Sequence, residues 1–235
     1  MEMESDHLVE EMPARLRSGE DPPAGLFVSF EGVEGCGKST QVRRLARRLE
    51  AYGREVVLTR EPGGTEIGAR LRSVLLGEFD PPVSPVAEMM LYAADRAQHL
   101  TEIVEPALGR GAVVLSDRFV DASLAYQGYG RRLGCSLILD LHRHPPLDRR
   151  PHRTLLLDLD PAVGLRRARR RNDDRGVALS EGRFEDEDLS FHERVRDGYL
   201  LLAGQDPSRF RVLDATGDET VVEERVWSAV RDLVV

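Results

Sequence analysis

Short, nearly continuous apolar runs recur along the chain at 26–30, 55–59, 112–116, 154–159 and 210–213, rich in Val, Leu and Phe. Runs of this length without alternation read as strands buried on both faces, the pattern of a parallel sheet. Between them the apolar period lengthens to that of a helix. Val42, Leu45, Leu49 and Tyr52 form one stripe, a longer helical pattern covers 86–108, and Val222, Val226, Ala229 and Leu233 share a side, with Trp227 beside them as a core anchor. Asp160-Pro161 supplies the N-cap and first position of another helix. Strands alternating with helices predict a three-layer α/β fold, a five-stranded parallel sheet flanked by helices. No internal repeat interrupts the pattern, so a single domain over 25–235 is expected. The first 24 residues are acidic, contain Pro13, Pro22 and Pro23, and are expected to form a mobile tail.

Composition narrows this picture. No apolar run approaches the ~20 residues of a membrane span, and the N-terminus lacks a cationic-then-apolar leader pattern. Cys36 and Cys135 stand in unrelated contexts, which suits a reducing, cytoplasmic setting. A net charge of −8 argues against a nucleic-acid partner. Of 33 basic residues, only Lys38 is a lysine, so its position is one where arginine does not serve.

That lysine belongs to Gly32-Val33-Glu34-Gly35-Cys36-Gly37-Lys38-Ser39, which satisfies G-x-x-x-x-G-K-[ST] between the first strand and the first helix. Backbone N–H groups of such a loop, and of the helix opening with Thr40, surround phosphates. Lys38 would reach the β and γ phosphates of ATP, and the Ser39 hydroxyl would ligate Mg²⁺. Cys36 reads as a small side chain that fits the loop.

Other polar groups collect at the C-terminal ends of strands, where open α/β sheets bind ligands. Arg60 precedes the Pro62-Gly63-Gly64 turn, either as a second phosphate cation or as an ordinary surface arginine. Asp117 closes the third strand, a position suited to a group near Mg²⁺, and is followed by Arg118, Ser123, Tyr126 and Gln127. Tyr92, Arg96 and His99 share one helical face. They suit a nucleobase, although spacing alone favours a packed Tyr92 with Arg96 snorkelling to solvent. Arg166 to Arg171 carries five arginines in six residues, and a glycine-punctuated stretch over 172–182 follows. This resembles an arginine-bearing lid over about 171–184 more than a nucleic-acid patch, because interleaved aromatics are missing and acidic residues follow.

The combination of Phe30-Glu31-Gly32 through Gln41, Arg60-Glu61-Pro62-Gly63-Gly64-Thr65, Asp95-Arg96-Ala97-Gln98-His99, Asp117-Arg118-Phe119, Ser123 through Gly128 and Arg183-Phe184-Glu185 resembles the bacterial thymidylate kinases. The resemblance implies a P-loop fold, a homodimer, and transfer of the γ-phosphoryl of ATP to dTMP with Mg²⁺. It implies that Glu34 meets the acceptor sugar's 3′-hydroxyl and that Arg60 and Arg118 hold its phosphate. Tyr92 would stack on thymine and Arg96 would bond its edge, which reverses the spacing argument. Pro62, Ser123 and Gln127 would line the acceptor site, and Tyr126 would crowd the 2′ position. The stretch Glu34-Gly35-Cys36 carries no cation, so the lid must supply the catalytic arginine, Arg171 or Arg175. Ala122 stands where many relatives have serine. The rival functions are a kinase for another nucleoside monophosphate or deoxynucleoside, and a nucleotide-binding regulator without turnover.

Overall fold

The structure, a computed structural model, describes residues 25–175 and 183–234, with side chains at 171–175 outside the described set. Its strands are β1 (Leu26–Glu31), β2 (Val56–Arg60), β3 (Val113–Asp117), β4 (Arg153–Asp158) and β5 (Phe210–Asp214). Its helices are α1 (Lys38–Ala51), α2 (Glu66–Leu76), α3 (Pro85–His99), α4 (Glu105–Gly109), α5 (Val120–Ser123), α6 (Ser136–Leu141), α7 (Pro161–Arg175), α8 (Leu189–Gln205) and α9 (Glu219–Val230). The expected helix over 86–108 is an unbroken helical path in which a π turn, Leu100–Val104, joins α3 to α4.

All strands pair in parallel in the order β2-β3-β1-β4-β5. β1, β3 and β4 are buried almost throughout, as their unbroken apolar runs require. The edge strands differ: Leu58 on β2 is 47% exposed and Val212 on β5 49%. An edge strand has only one neighbour, so an apolar run alone does not mark a central strand.

Period-two alternation divides the core. Leu26, Val28 and Phe30 of β1 pack with Val113 and Leu115 of β3 against α1, α8 and α9. Phe27 and Val114 point the other way, against Ala93, Leu100, Val104 and Ala107. Trp227 anchors α9 as expected, stacked on Tyr52 with ring centroids 5.1 Å apart and covered by the Arg48 guanidinium. The order places β1 between β3 and β4, which cross over to opposite sides of it. The loop leaving β1 therefore opens at the switch point of the sheet.

That loop leans on α7 by a backbone-to-backbone contact. Gly35 has φ +68°, and a Cβ there would lie 2.0 Å from the Gly164 carbonyl oxygen. A Cβ on Gly164 would lie 2.2 Å from the carbonyl oxygen of Glu34. Helix propensity favours alanine over glycine by ~1 kcal/mol in a helix interior, but a contact this short with backbone cannot be relieved by a side-chain turn. We expect Gly164→Ala to lose about 1–3 kcal/mol in urea unfolding, overriding its better propensity. A variant more stable than the parent would show that α7 does not set the loop.

Candidate active site

One cleft of about 380 Å³ opens above the C-terminal ends of the strands. The sequence-derived residues Glu34, Gly35, Lys38, Ser39, Thr40, Arg60, Pro62, Tyr92, Arg96, Asp117, Arg118, Ser123, Tyr126 and Gln127 all line it. Ala122 lines it too, where the resemblance leads one to look for serine. Gly32, Val33, Cys36 and Gly37 complete the loop from below: the Lys38 amine donates to the carbonyls of Gly32 (3.0 Å) and Val33 (2.9 Å), and Cys36 is buried.

At the mouth, the Ser39 hydroxyl donates to Asp117 Oδ2 at 2.6 Å. A hydroxyl beside a carboxylate is a hard-oxygen donor set, and it fits Mg²⁺, which takes one or two carboxylates and completes its shell with phosphate and water. Among the described residues there is no cluster of three or more metal-ligating side chains, so the protein offers Mg²⁺ a partial site of the kind phosphate completes.

Arg118 is the first residue after β3. Its backbone N–H donates to the Phe30 carbonyl at 2.9 Å, and its φ is +76°. A non-glycine residue held there costs about 1–3 kcal/mol, so surrounding contacts must fix it. They do: the guanidinium donates to Glu34 Oε1 at 2.9 Å and to the Tyr126 hydroxyl at 3.1 Å, and lies over the Tyr126 ring. Tyr126 in turn donates to Glu34, 2.7 Å from either oxygen. Burial works to raise the Glu34 pKa, but neighbouring His192, Arg118 and Lys38 outweigh it and hold the carboxyl at about 2. Glu34 is therefore an anion at any physiological pH. The P-loop and the end of β3 are joined by this charge pair.

The wall opposite is built on α3. Tyr92 is half-buried at the cleft surface. Arg96 does not snorkel: it is 1% exposed and donates to Glu61 Oε2 (2.8 Å), His142 Nε2 (2.9 Å) and Ser123 Oγ (3.1 Å). Burial, and then Arg96 itself, pull the His142 pKa down to about 4, so the ring is neutral; Nε2 accepts while Nδ1–H donates to the Ile138 carbonyl. His99 lies outside the cleft lining, between Glu61 (2.7 Å) and Thr59 (2.6 Å). It shares a helical face with Tyr92 yet serves the layer behind it, because Glu61 returns from the β2 loop to meet it.

Toward α7 and α8, Glu88 is fully buried and gathers Gln127 (2.9 Å), Arg131 (3.3 Å) and Arg183 (2.8 Å). Phe184 and Glu185 line the cleft beside it. Glu88 and His192 were not singled out from sequence; a carboxylate inside an apolar helical stretch was the only local signal for the first. The backbone of α7 stays helical through Arg175, within the stretch of about 171–184 expected to form the lid. Arg171 and Arg175 sit in its last turns with side chains outside the described residues, and 176–182 lies outside them altogether. The N-terminal 24 residues do as well.

A phosphate-cradling loop facing a second, arginine-lined compartment in one cleft defines a P-loop kinase whose acceptor is itself anionic. The thymidylate kinase family model matches residues 30–226. The chain is 51% identical over 209 residues to a thymidylate kinase of Solidesulfovibrio magneticus, covering 89% of this chain and all of that one. It is 50% identical over 202 residues to a thymidylate kinase of Syntrophotalea carbinolica, covering 86% and 93% respectively. The crystal structure of thymidylate kinase from Ehrlichia chaffeensis superposes with a TM-score of 0.71 at 32% identity, covering 88% of this chain and all of the other. The chain belongs to the thymidylate kinase family, whose members are ATP-dependent kinases.

Proposed function

We propose that this chain transfers the γ-phosphoryl group of ATP to the phosphate of dTMP, giving dTDP for dTTP synthesis. The observation that carries this reading is the Glu34–Arg118 pair, which sets an anion for a sugar hydroxyl and a cation for a phosphate side by side in the P-loop cleft. In this reading the loop from Gly32 to Thr40 holds ATP, with Lys38 on its β and γ phosphates. Arg60, exposed at the cleft edge, and Arg118 hold the dTMP phosphate. Tyr92 stacks on thymine, Arg96 and Gln127 bond its edge, and Pro62 and Ser123 complete the pocket. Glu34 accepts from the 3′-hydroxyl, while Tyr126, fixed against Glu34, crowds a 2′ substituent. Ser39 and Asp117 would hold Mg²⁺, which when bound neutralises charge on the transferring phosphoryl group.

No general base is required. A phosphate monoester has a second pKa of ~6 and is mostly a dianion at neutral pH. Catalysis then consists of bringing two polyanions together and stabilising the charge that spreads between them. Arg171 or Arg175, at the end of α7, supplies the cation that Glu34-Gly35-Cys36 lacks.

The kinase domain in this reading spans 25–235 with a lid over about 171–184, and 1–24 is a tail outside it. Among the described residues no helix is long and apolar enough to cross a membrane. We assign the enzyme to the cytoplasm, as a homodimer. The dimer contact would use the exposed apolar residues Ile67 and Val74 of α2 and Val86 and Met90 of α3, with Phe79 of the loop between them. Sedimentation velocity should give a dimer for the parent and a shift toward monomer for Met90→Arg; a monomeric parent removes this contact.

A coupled assay of ADP release with ATP, Mg²⁺ and dTMP, dUMP, UMP, dCMP, dGMP or AMP should show kcat/KM highest for dTMP. A ribose 2′-hydroxyl should lower it by about 100-fold, the scale on which a closed pocket rejects a misfit group. Equal rates across the panel, or none, overturn the reading. In the same assay, Arg→Ala at whichever of Arg171 and Arg175 is catalytic should reduce kcat by about 10³ or more with a small change in KM for dTMP. Unchanged kcat in both variants would remove the lid arginine from the mechanism.

A further inference from the structure

α8 carries an imidazole that none of these roles uses. His192 is fully buried, and its Nδ1 lies 3.3 Å from Glu34 Oε2 without the alignment of a hydrogen bond. Among the described residues neither ring nitrogen has an aligned partner. A buried polar group left in that state costs about 1–3 kcal/mol, and native cores keep few of them. The apolar alternative at this position is close at hand, since the adjacent Phe191 already packs edge-on against the ring, with centroids 5.3 Å apart.

The environment of Glu34 shows what the imidazole acts on. Arg118 donates to Oε1, and the Tyr126 hydroxyl sits between both oxygens. Lys38 adds positive charge from the start of α1. Among the described residues Arg118 is the charged donor aligned on Oε1, the Tyr126 hydroxyl reaches both oxygens, and His192 Nδ1 faces Oε2 from α8. A hydroxyl that serves either oxygen does not fix which one faces outward, so the carboxylate can still turn about its last side-chain bond. An imidazole N–H beside Oε2, brought into line by a small rotation, restricts that turn.

We propose that His192 is a positioning residue for the acceptor sugar: its Nδ1–H steers the Glu34 carboxylate so that an outward lone pair meets the 3′-hydroxyl of the acceptor nucleotide. This rests on the proposed function above. It makes α8 part of acceptor recognition although His192 does not line the cleft. Its effect is confined to the hydroxyl interaction, so it is visible only with an acceptor that has a 3′-hydroxyl.

The test compares dTMP with 3′-deoxy-dTMP in the parent, His192→Leu, His192→Asn and His192→Gln, alongside thermal melting. An asparagine amide can place an N–H near the position of Nδ1, whereas a glutamine amide reaches the position of Nε2 instead. We expect His192→Leu and His192→Gln to raise KM for dTMP about 10-fold, the loss of one modest hydrogen bond, with kcat and KM for ATP within about 2-fold. KM for 3′-deoxy-dTMP should stay within about 2-fold in both, and His192→Asn should recover most of the parent's KM for dTMP. An equal rise for the two acceptors, or no rise in any variant that melts cooperatively, overturns the positioning role. If His192→Leu does not fold, the Asn and Gln pair decides, and equal behaviour of the two overturns it. Failure of the parent to phosphorylate dTMP would instead overturn the functional reading, a result distinct from either of these.

Discussion

The Glu34–Arg118 ion pair ties the side chains of the P-loop to the end of β3, alongside the Ser39–Asp117 hydrogen bond. Glu34 belongs to the glycine-rich P-loop, and Arg118 stands at the end of the neighbouring strand. Both side chains are mostly buried, 13% and 20% exposed. A pair so placed is weak support for stability, because desolvation offsets most of the attraction. Its value is geometric. Arg118 is held at positive φ by the Phe30 carbonyl behind it and by Glu34 and Tyr126 in front, so its guanidinium has one place to be. A site that must bring two polyanions together needs its cations fixed before the substrates arrive.

The rest of the architecture serves that placement. The sheet order sets β3 and β4 on either side of β1, which opens the cleft at the switch point. The facing glycines, Gly35 and Gly164, bring the loop against α7 at backbone distance. At the α3 wall of the cleft, Glu61 ties Arg96 and His99 to the β2 loop, and Glu88 ties α3 to Arg131 and Arg183. Buried carboxylates thus act as junctions, each collecting cations from elements far apart in sequence.

Local features were legible before any coordinates. The strands, the P-loop and the strand-end pair Asp117-Arg118 are written in runs of a few residues, and the structure brings them to one cleft. The edge strands were not distinguished, since lateral position is decided by pairing partners rather than by the run itself. Arg96 and His99 share a helical face with Tyr92, yet only Tyr92 and Arg96 reach the cleft; Glu61, which binds both Arg96 and His99, draws His99 behind the lining and buries Arg96. His192 was invisible for the same reason in stronger form: its partner Glu34 precedes it by more than half the chain. Periodicity reports which face is buried, and says nothing of which charge waits there.

If the Glu34–Arg118 pair organises the acceptor compartment as a unit, its two members cannot contribute independently. Calorimetric titration of dTMP into the parent, Glu34→Gln, Arg118→Met and the double variant isolates their coupling. The structure predicts a coupling free energy of at least about 1 kcal/mol, with the double variant binding more tightly than the summed single losses allow. Losses that add to within about 0.5 kcal/mol would mean the two residues act separately, and would contradict it.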